Sequence, residues 1–269
     1  MGKVQVNGVT IVFDDTERGH SSLLLVHGYP FDRSMWRPQF DALGQTGWRV
    51  IVPDLRGFGE SSVTAGATTL EQFARDIAAL LDALGIDAVV LGGLSMGGQI
   101  VMEFCRLYST RLTGIILAAT SPQAETEAGK RNRNLMADRV LREGMGPYAD
   151  EVLSKMVAPH NILHMPGVAE HVLTMMRNGH PVGAAAALRG RAERPSYEET
   201  LACLDVPALI VVGDTDAFTT RADADRMHDL LRGSELVWMK GVGHMPNLER
   251  VSEFNAAIAR FLSTLAARA

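Results

Sequence analysis

The 269-residue sequence has only two cysteines and no long apolar segment, and these scarcities exclude several classes of protein. Cys105 and Cys203 form neither a disulfide framework nor a zinc-binding spacing, and we expect both to be small buried residues. No apolar run approaches the roughly 18 residues that span a bilayer. Residues 1–10 lack the apolar stretch of a secretory signal, so we expect a cytoplasmic protein without membrane contact.

A basic cluster is also missing. The net charge is −5 and 21% of the residues are charged, so nucleic acid is not an expected partner. Hydrophobic residues make up 46% of the chain, which is enough for one large domain with an extensive core. Nothing in the composition predicts the oligomeric state.

The sequence does contain an alternation of apolar strands with helical segments. A hairpin is predicted first, because Asn7-Gly8 provides a tight turn between two short β-type runs. Further on, Thr68 and Glu71 have the spacing of a capping box, which predicts a helix that begins after Thr68. Apolar runs alternate with helical patterns, so we predict a parallel, doubly wound sheet. These runs are 23–26, 49–52, 88–91 and 114–119.

The pattern changes in the middle of the chain. From residue 121 the strand-like runs disappear, and the segment is rich in Met, Ala, Arg and His with helical spacing in places. Strand character returns with the apolar run 208–212. We therefore predict a core made of residues 1–120 and 205–269, with residues 121–204 inserted as a helical cap.

The most informative motif is a G-x-S-x-G at residues 93–97, which read Gly-Leu-Ser-Met-Gly. An apolar strand precedes it and a helical segment follows it, so Ser95 is expected at a tight strand-to-helix turn that exposes its hydroxyl. Small neighbours are needed there, because strand and helix backbones pass close together. Ser95 is therefore the candidate nucleophile.

A serine nucleophile needs a base, and the base needs a carboxylate that orients it. Downstream of Ser95, Asp216 and His244 each follow an apolar strand, at the strand ends where open α/β sheets place their sites. We predict a triad of Ser95, Asp216 and His244. Asp214 is the alternative acid, although it also suits a turn, and Glu125 is a weaker alternative after an earlier strand.

Two backbone N–H groups are expected to bind the oxyanion. One belongs to Met96, which follows the nucleophile, and the other to Tyr29 in the loop after the strand 23–26. In that loop, His27 is interpreted as a structural anchor. His160 and His164 have a spacing that can bind metal, but no glutamate accompanies them, so we predict no metal site.

Five stretches of the sequence carry motifs of this kind: residues 27–30, 54–61, 93–97, 213–216 and 243–244. In combination they resemble the α/β-hydrolase superfamily, and within it the enol-lactonases, carboxylesterases and cofactor-free haloperoxidases (perhydrolases). Trp36 with Gln39 suits that branch, and Ser95 distinguishes the chain from the similar dehalogenases and epoxide hydrolases, which use Asp. The resemblance implies an eight-stranded, mostly parallel sheet, a helical cap after the sixth strand, and acyl-enzyme chemistry without a cofactor.

The leading hypothesis is hydrolysis of a small-molecule carboxylic ester or lactone. Perhydrolysis, cofactor-free haloperoxidase activity or C–C bond hydrolysis on the same triad are alternatives, as is a ligand receptor built on a hydrolase fold. Trp36, Phe218 and Met245 are predicted to bind the substrate in a mainly apolar pocket at the junction of cap and core. The cap arginines are expected to be solvated, so we expect neutral or aromatic substrates. These arginines are Arg131, Arg133, Arg139 and Arg142.

Overall fold

The computed structural model describes residues 1–266, which contain eight β-strands and twelve α-helices. The strands are β1 (Gly2–Val6), β2 (Val9–Asp15), β3 (Ser21–Val26), β4 (Trp48–Pro53), β5 (Val89–Leu94), β6 (Leu112–Ala118), β7 (Ala208–Gly213) and β8 (Glu235–Met239). The helices are α1 (Arg37–Leu43), α2 (Leu70–Ala83), α3 (Met96–Tyr108), α4 (Glu127–Glu143), α5 (Met145–Met156), α6 (Pro159–His164), α7 (Pro166–Arg177), α8 (Pro181–Ala192), α9 (Glu198–Ala202), α10 (Arg221–Leu230), α11 (Pro246–Glu249) and α12 (Val251–Ala266).

All eight strands form one sheet in the order β1-β2-β4-β3-β5-β6-β7-β8. β1 and β2 form the predicted hairpin, in which Asn7 and Gly8 both have positive φ (46° and 76°) as a tight turn requires. β2 is also antiparallel to β4, and every other neighbouring pair is parallel. The sheet is therefore mostly parallel, which confirms the predicted fold class.

The central strands are apolar because helices cover both faces of the sheet. Residues 23–26 of β3 and 89–91 of β5 are completely buried, as expected for parallel strands in such a fold. Parallel strands end at the same edge of the sheet. The loops that follow β3, β5, β7 and β8 therefore meet there, and these loops contain the predicted site residues.

The beginning of α2 differs by one residue from the prediction. Thr69, not Thr68, is the N-cap, since its hydroxyl accepts a hydrogen bond from the Gln72 N–H (3.1 Å). Thr68 lies just before the cap, and its N–H donates to the Ala186 carbonyl of α8. The capping pattern thus located the helix but not its first residue.

The helices α4 to α9 all lie between β6 and β7, in the segment predicted to be a cap. Small residues let α8 approach the core closely: Gly183 packs against the Gly57 backbone, and Gly190 against the Thr68 backbone. The division into a core and an inserted cap stays a prediction of domain organisation. Cys203, which follows α9, is exposed rather than buried, whereas Cys105 is buried as predicted.

The helices of residues 1–266 include none that combines the length and the apolar character needed to cross a lipid bilayer.

Candidate active site

Ser95 lies between β5 and α3 with unusual backbone angles, φ 57° and ψ −114°. This is a strained conformation for a residue with a side chain, and it must be held by its surroundings. The Ser95 N–H donates to the Ala118 carbonyl (2.9 Å), and the Thr120 hydroxyl donates to the Ser95 carbonyl (2.8 Å). Both partners belong to or follow β6, so the neighbouring strand fixes the turn.

The glycines of the motif are required by close contacts. A Cβ on Gly93 would collide with the Gly97 backbone, and a Cβ on Gly97 would collide with the Val26 carbonyl at the end of β3. A larger residue at Gly93 would push α3 away from β5, and one at Gly97 would push it away from β3. The sharp turn at Ser95 therefore depends on both glycines.

His244 and Asp216 form a direct pair. His244 Nδ1 lies 2.9 Å from each carboxylate oxygen of Asp216, and both side chains are buried. Burial alone would raise the pKa of Asp216, but His244 and the N–H groups of Phe218 and Thr219 hold it below its ordinary value. An ionised carboxylate can only accept, so Nδ1 carries the proton and Nε2 is free to act as a base.

Asp214 and Glu125, the alternative acids, have other partners. Asp214 Oδ1 accepts from the N–H groups of Gly241 (2.7 Å) and Val242 (3.3 Å), which fixes the loop after β8. Glu125 pairs with the guanidinium of Arg133. Of the carboxylates considered from the sequence, Asp216 is the one that the structure brings to His244.

Glu249, which the sequence did not single out, holds the loop that carries His244. One carboxylate oxygen accepts from the N–H groups of Gly243 (3.0 Å) and Met245 (3.2 Å), on either side of His244. The other accepts from the Ala158 N–H (3.0 Å) and the Asn161 side chain (2.7 Å). This buried carboxylate therefore ties the His244 loop to the segment around α6.

The predicted oxyanion donors belong to two segments that meet at the end of β5. Met96 is the first residue of α3, and the first N–H groups of a helix have no acceptor within the helix. The loop that contains Tyr29 approaches β5 closely, because a Cβ on Gly28 would lie 3.0 Å from the Leu94 carbonyl oxygen. This arrangement brings the Tyr29 loop to the end of the nucleophile strand.

Both ring nitrogens of His27 form hydrogen bonds with the backbone. Its Nε2 accepts from the Leu55 N–H (3.0 Å), so Nδ1 carries the proton and donates to the Gly28 carbonyl (2.8 Å). Burial lowers the pKa of His27, which favours this neutral form. The ring thus connects the loop after β3 to the loop after β4.

Ser95 and His244 line a cavity of about 270 Å³. Tyr29 and Phe218 line it as well, and the Phe218 ring contacts the His244 ring with centroids 4.8 Å apart. The prediction that Trp36 and Met245 bind the substrate is wrong: both are fully buried and neither belongs to the cavity lining. Trp36 packs against Phe254 of α12 instead.

The prediction of a mainly apolar pocket is also wrong. Arg133, Arg191 and Arg194 line the cavity, so the segment between β6 and β7 brings positive charge towards Ser95. The position of Arg133 contradicts the expectation that it is a solvated surface residue. Arg142 is exposed and Arg139 is partly exposed, and both pair with Glu143.

His160 and His164 occupy α6, away from the cavity lining. His160 Nε2 lies 3.1 Å from the Gly241 carbonyl oxygen. In the part of the chain that the structure describes, no group of three or more His, Cys, Asp or Glu side chains is arranged to hold a metal ion.

Comparison with known proteins identifies the family of this chain. A family model described as "Alpha/beta hydrolase family" matches residues 23–257. The chain belongs to this family. A solved thermophilic esterase from Thermogutta terrifontis, described as malate bound, is 38% identical with a TM-score of 0.95, over 98% of this chain and 99% of that chain.

Two curated relatives broaden the comparison. The 3-oxoadipate enol-lactonase 2 of Acinetobacter baylyi is 29% identical over 84% of this chain and 82% of its own length. The non-heme haloperoxidase of Rhodococcus erythropolis is 25% identical over 96% of this chain and 97% of its own. The resemblance to esterases, enol-lactonases and haloperoxidases is therefore confirmed. Membership of this family identifies the chain as a hydrolase.

Proposed function

We propose that this alpha/beta hydrolase cleaves a carboxylic ester or lactone through an acyl-enzyme on Ser95. The observation that carries the proposal is the pairing of His244 with Asp216. His244 Nδ1 lies 2.9 Å from both carboxylate oxygens of Asp216, and Ser95 occupies a strained turn. A buried carboxylate that fixes the tautomer of a histidine leaves Nε2 available to the serine. The histidine and the serine line one cavity, as this chemistry requires.

In the acylation step, Ser95 Oγ attacks the substrate carbonyl while His244 Nε2 takes its proton. Asp216 stabilises the imidazolium that forms, and it stays ionised throughout. Collapse of the tetrahedral intermediate breaks the bond to the alcohol oxygen, which receives the proton from His244. A lactone opens in the same step, and its alcohol remains attached to the acyl group.

The oxyanion of the intermediate is assigned to the N–H groups of Met96 and Tyr29. The position of Met96 at the start of α3 supports this role, since the helix dipole also favours negative charge there. In deacylation, His244 takes a proton from water as the water oxygen attacks the acyl carbon. The bond between the acyl carbon and Ser95 Oγ then breaks, His244 returns the proton to Oγ, and the free acid is released. Phe218, in contact with His244 at the cavity, is assigned to substrate binding.

The experiment is hydrolysis of p-nitrophenyl acetate by the wild type, Ser95→Ala and Ser109→Ala. Ser109 is an exposed residue just after α3 and receives the same substitution as a control. We expect Ser95→Ala to lose about 10³- to 10⁶-fold in kcat with an unchanged thermal midpoint, because the loss is chemical. Ser109→Ala should match the wild type. A Ser95→Ala variant that keeps a tenth of the activity would contradict the proposal.

Two further measurements separate the alternatives. Bromide oxidation that requires peroxide and a carboxylate would favour perhydrolysis, which the haloperoxidase relative makes a second candidate. Absence of turnover with any ester, together with tight ligand binding, would favour a receptor. His244→Ala should cost about as much as Ser95→Ala, and the double variant little more, because the triad acts as a unit.

A further inference from the structure

The cavity beside Ser95 is strongly positive. Three of its lining residues are Arg133, Arg191 and Arg194, and none of the described residues that line it is Asp or Glu. The arginines come from α4, from the last turn of α8 and from the residues just after α8. The catalytic triad, by contrast, belongs to loops that follow strands of the sheet.

The arginines have too few carboxylate partners. Glu125 pairs with Arg133, and the same Glu125 oxygen lies 4.0 Å from Arg194. One carboxylate is therefore shared by two guanidinium groups. Arg191 has no carboxylate within 4.0 Å among residues 1–266; its Nε donates to the Gln99 amide oxygen (3.1 Å), and its guanidinium lies 5.7 Å from the Tyr29 ring centre.

Polar groups of the lining also lack hydrogen-bond partners. The Tyr29 hydroxyl and Arg194 Nε are both buried without an acceptor among the described residues. Buried polar groups are nearly always paired in folded proteins, so such groups call for an explanation. Both of these groups are hydrogen-bond donors on residues that line the cavity, so the lining is richer in donors than in acceptors that pair with them.

The electrostatics point in the same direction. Burial, followed by the charges of Arg133 and Arg194, lowers the pKa of Arg191 well below its ordinary value. Burial also lowers the pKa of Arg194, although Glu125 opposes the shift. A guanidinium keeps its proton at neutral pH even so. The protein thus holds an uncompensated positive charge, which a bound anion would offset.

We infer that Arg191 and Arg194 bind a carboxylate of the substrate, so that the preferred substrates are esters or lactones that carry a free carboxylate. This inference rests on the proposed serine hydrolase function and adds the substrate class. A guanidinium matches a carboxylate with two parallel hydrogen bonds. The cavity volume of about 270 Å³ is that of a small ligand site, which suits half-esters of short dicarboxylic acids or small carboxylated lactones.

The test compares monoethyl succinate with diethyl succinate, which share the acyl chain and the leaving alcohol. The half-ester has a free carboxylate where the diester has a second ethyl ester. Ethanol release at pH 7 gives kcat/KM for each. We expect the wild type to prefer the half-ester by about tenfold or more, the factor that one charge-assisted hydrogen bond provides. Equal rates, or a preference for the diester, would overturn the inference.

Variants then locate the preference. Arg191→Met removes the charge and keeps most of the length of the side chain. In this variant, the kcat/KM for the half-ester divided by that for the diester should fall by about tenfold or more. Arg189→Met is the matched control on α8, because Arg189 pairs with Asp138 outside the cavity lining. It should keep the wild-type ratio. A ratio that Arg191→Met leaves unchanged would overturn the assignment.

An inhibition experiment needs no variant, so it holds even if Arg191→Met fails to fold. Succinate should compete with p-nitrophenyl acetate in the wild type, whereas uncharged 1,4-butanediol should not. Equal inhibition by the two compounds, or stronger inhibition by inorganic phosphate than by succinate, would overturn the carboxylate assignment. If Ser95-dependent hydrolysis of p-nitrophenyl acetate is present without these effects, only this inference fails; if that hydrolysis is absent, the proposed function fails first.

Discussion

Replacement of Glu249 by glutamine should damage both stability and activity. The carboxylate accepts hydrogen bonds from four donors: the N–H groups of Gly243, Met245 and Ala158 and the side-chain amide of Asn161. Glutamine has the same shape but presents one NH₂ in place of an oxygen. In either orientation, this NH₂ faces two of the donors instead of accepting from them.

The size of the effect follows from the two donors that lose their acceptor. A buried donor left unpaired costs about 1–3 kcal/mol, so Glu249→Gln should lower the free energy of unfolding by about 2–6 kcal/mol. For a chain of this size, each 1 kcal/mol corresponds to about 2–4 °C in Tm. Because His244 lies between two of the tethered N–H groups, its position should also loosen and kcat should fall.

Differential scanning calorimetry and ester hydrolysis measure the two effects together. Glu253→Gln is the matched control, since Glu253 is exposed on α12 and receives the same substitution. It should resemble the wild type in both assays. A Glu249→Gln protein with the Tm and kcat/KM of the wild type would refute the view that this carboxylate holds the His244 loop.

Two other predictions concern stability. The pKa of Asp216 is held below its ordinary value in the folded protein, so the ionised carboxylate stabilises the fold. This stabilisation is fully present above the unfolded pKa of about 3.9, and it is lost as the pH falls through the lower folded pKa. The difference in Tm between the wild type and Asp216→Asn should therefore become smaller below about pH 4. A difference in Tm that is equal at pH 3 and at pH 5 would contradict this prediction. Thr69→Ala removes the N-cap of α2 and should lower the free energy of unfolding by about 1 kcal/mol in urea titration; an unchanged midpoint would contradict that role.

The sheet and the positions of the candidate triad could be predicted because they depend on local signals. Each of Ser95, Asp216 and His244 follows an apolar strand, and parallel strands bring their ends to one edge. The first residue of α2 could not be predicted in the same way. Thr68 and Thr69 are both residue types that favour the N-cap position, so the local sequence does not distinguish between them, and the structure has Thr69 at the cap.

The pocket could not be predicted, because proximity in sequence does not fix the direction of a side chain. Trp36 and Met245 neighbour site loops but point into the core. Arg191 was missed for another reason: α8 is rich in Ala and Gly and is buried on nearly all sides, so its sequence has no polar face that separates inside from outside. Glu249 was missed because its four partners come from two distant segments.

The central claim is that Ser95, activated by His244 and Asp216, becomes covalently modified during turnover. The most direct measurement is mass spectrometry of the protein after reaction with a fluorophosphonate, followed by peptide mapping. We predict one phosphonylated residue, Ser95, with no labelling of Ser95→Ala and much slower labelling of His244→Ala. Labelling at another residue, or equal labelling of the wild type and Ser95→Ala, would contradict the account.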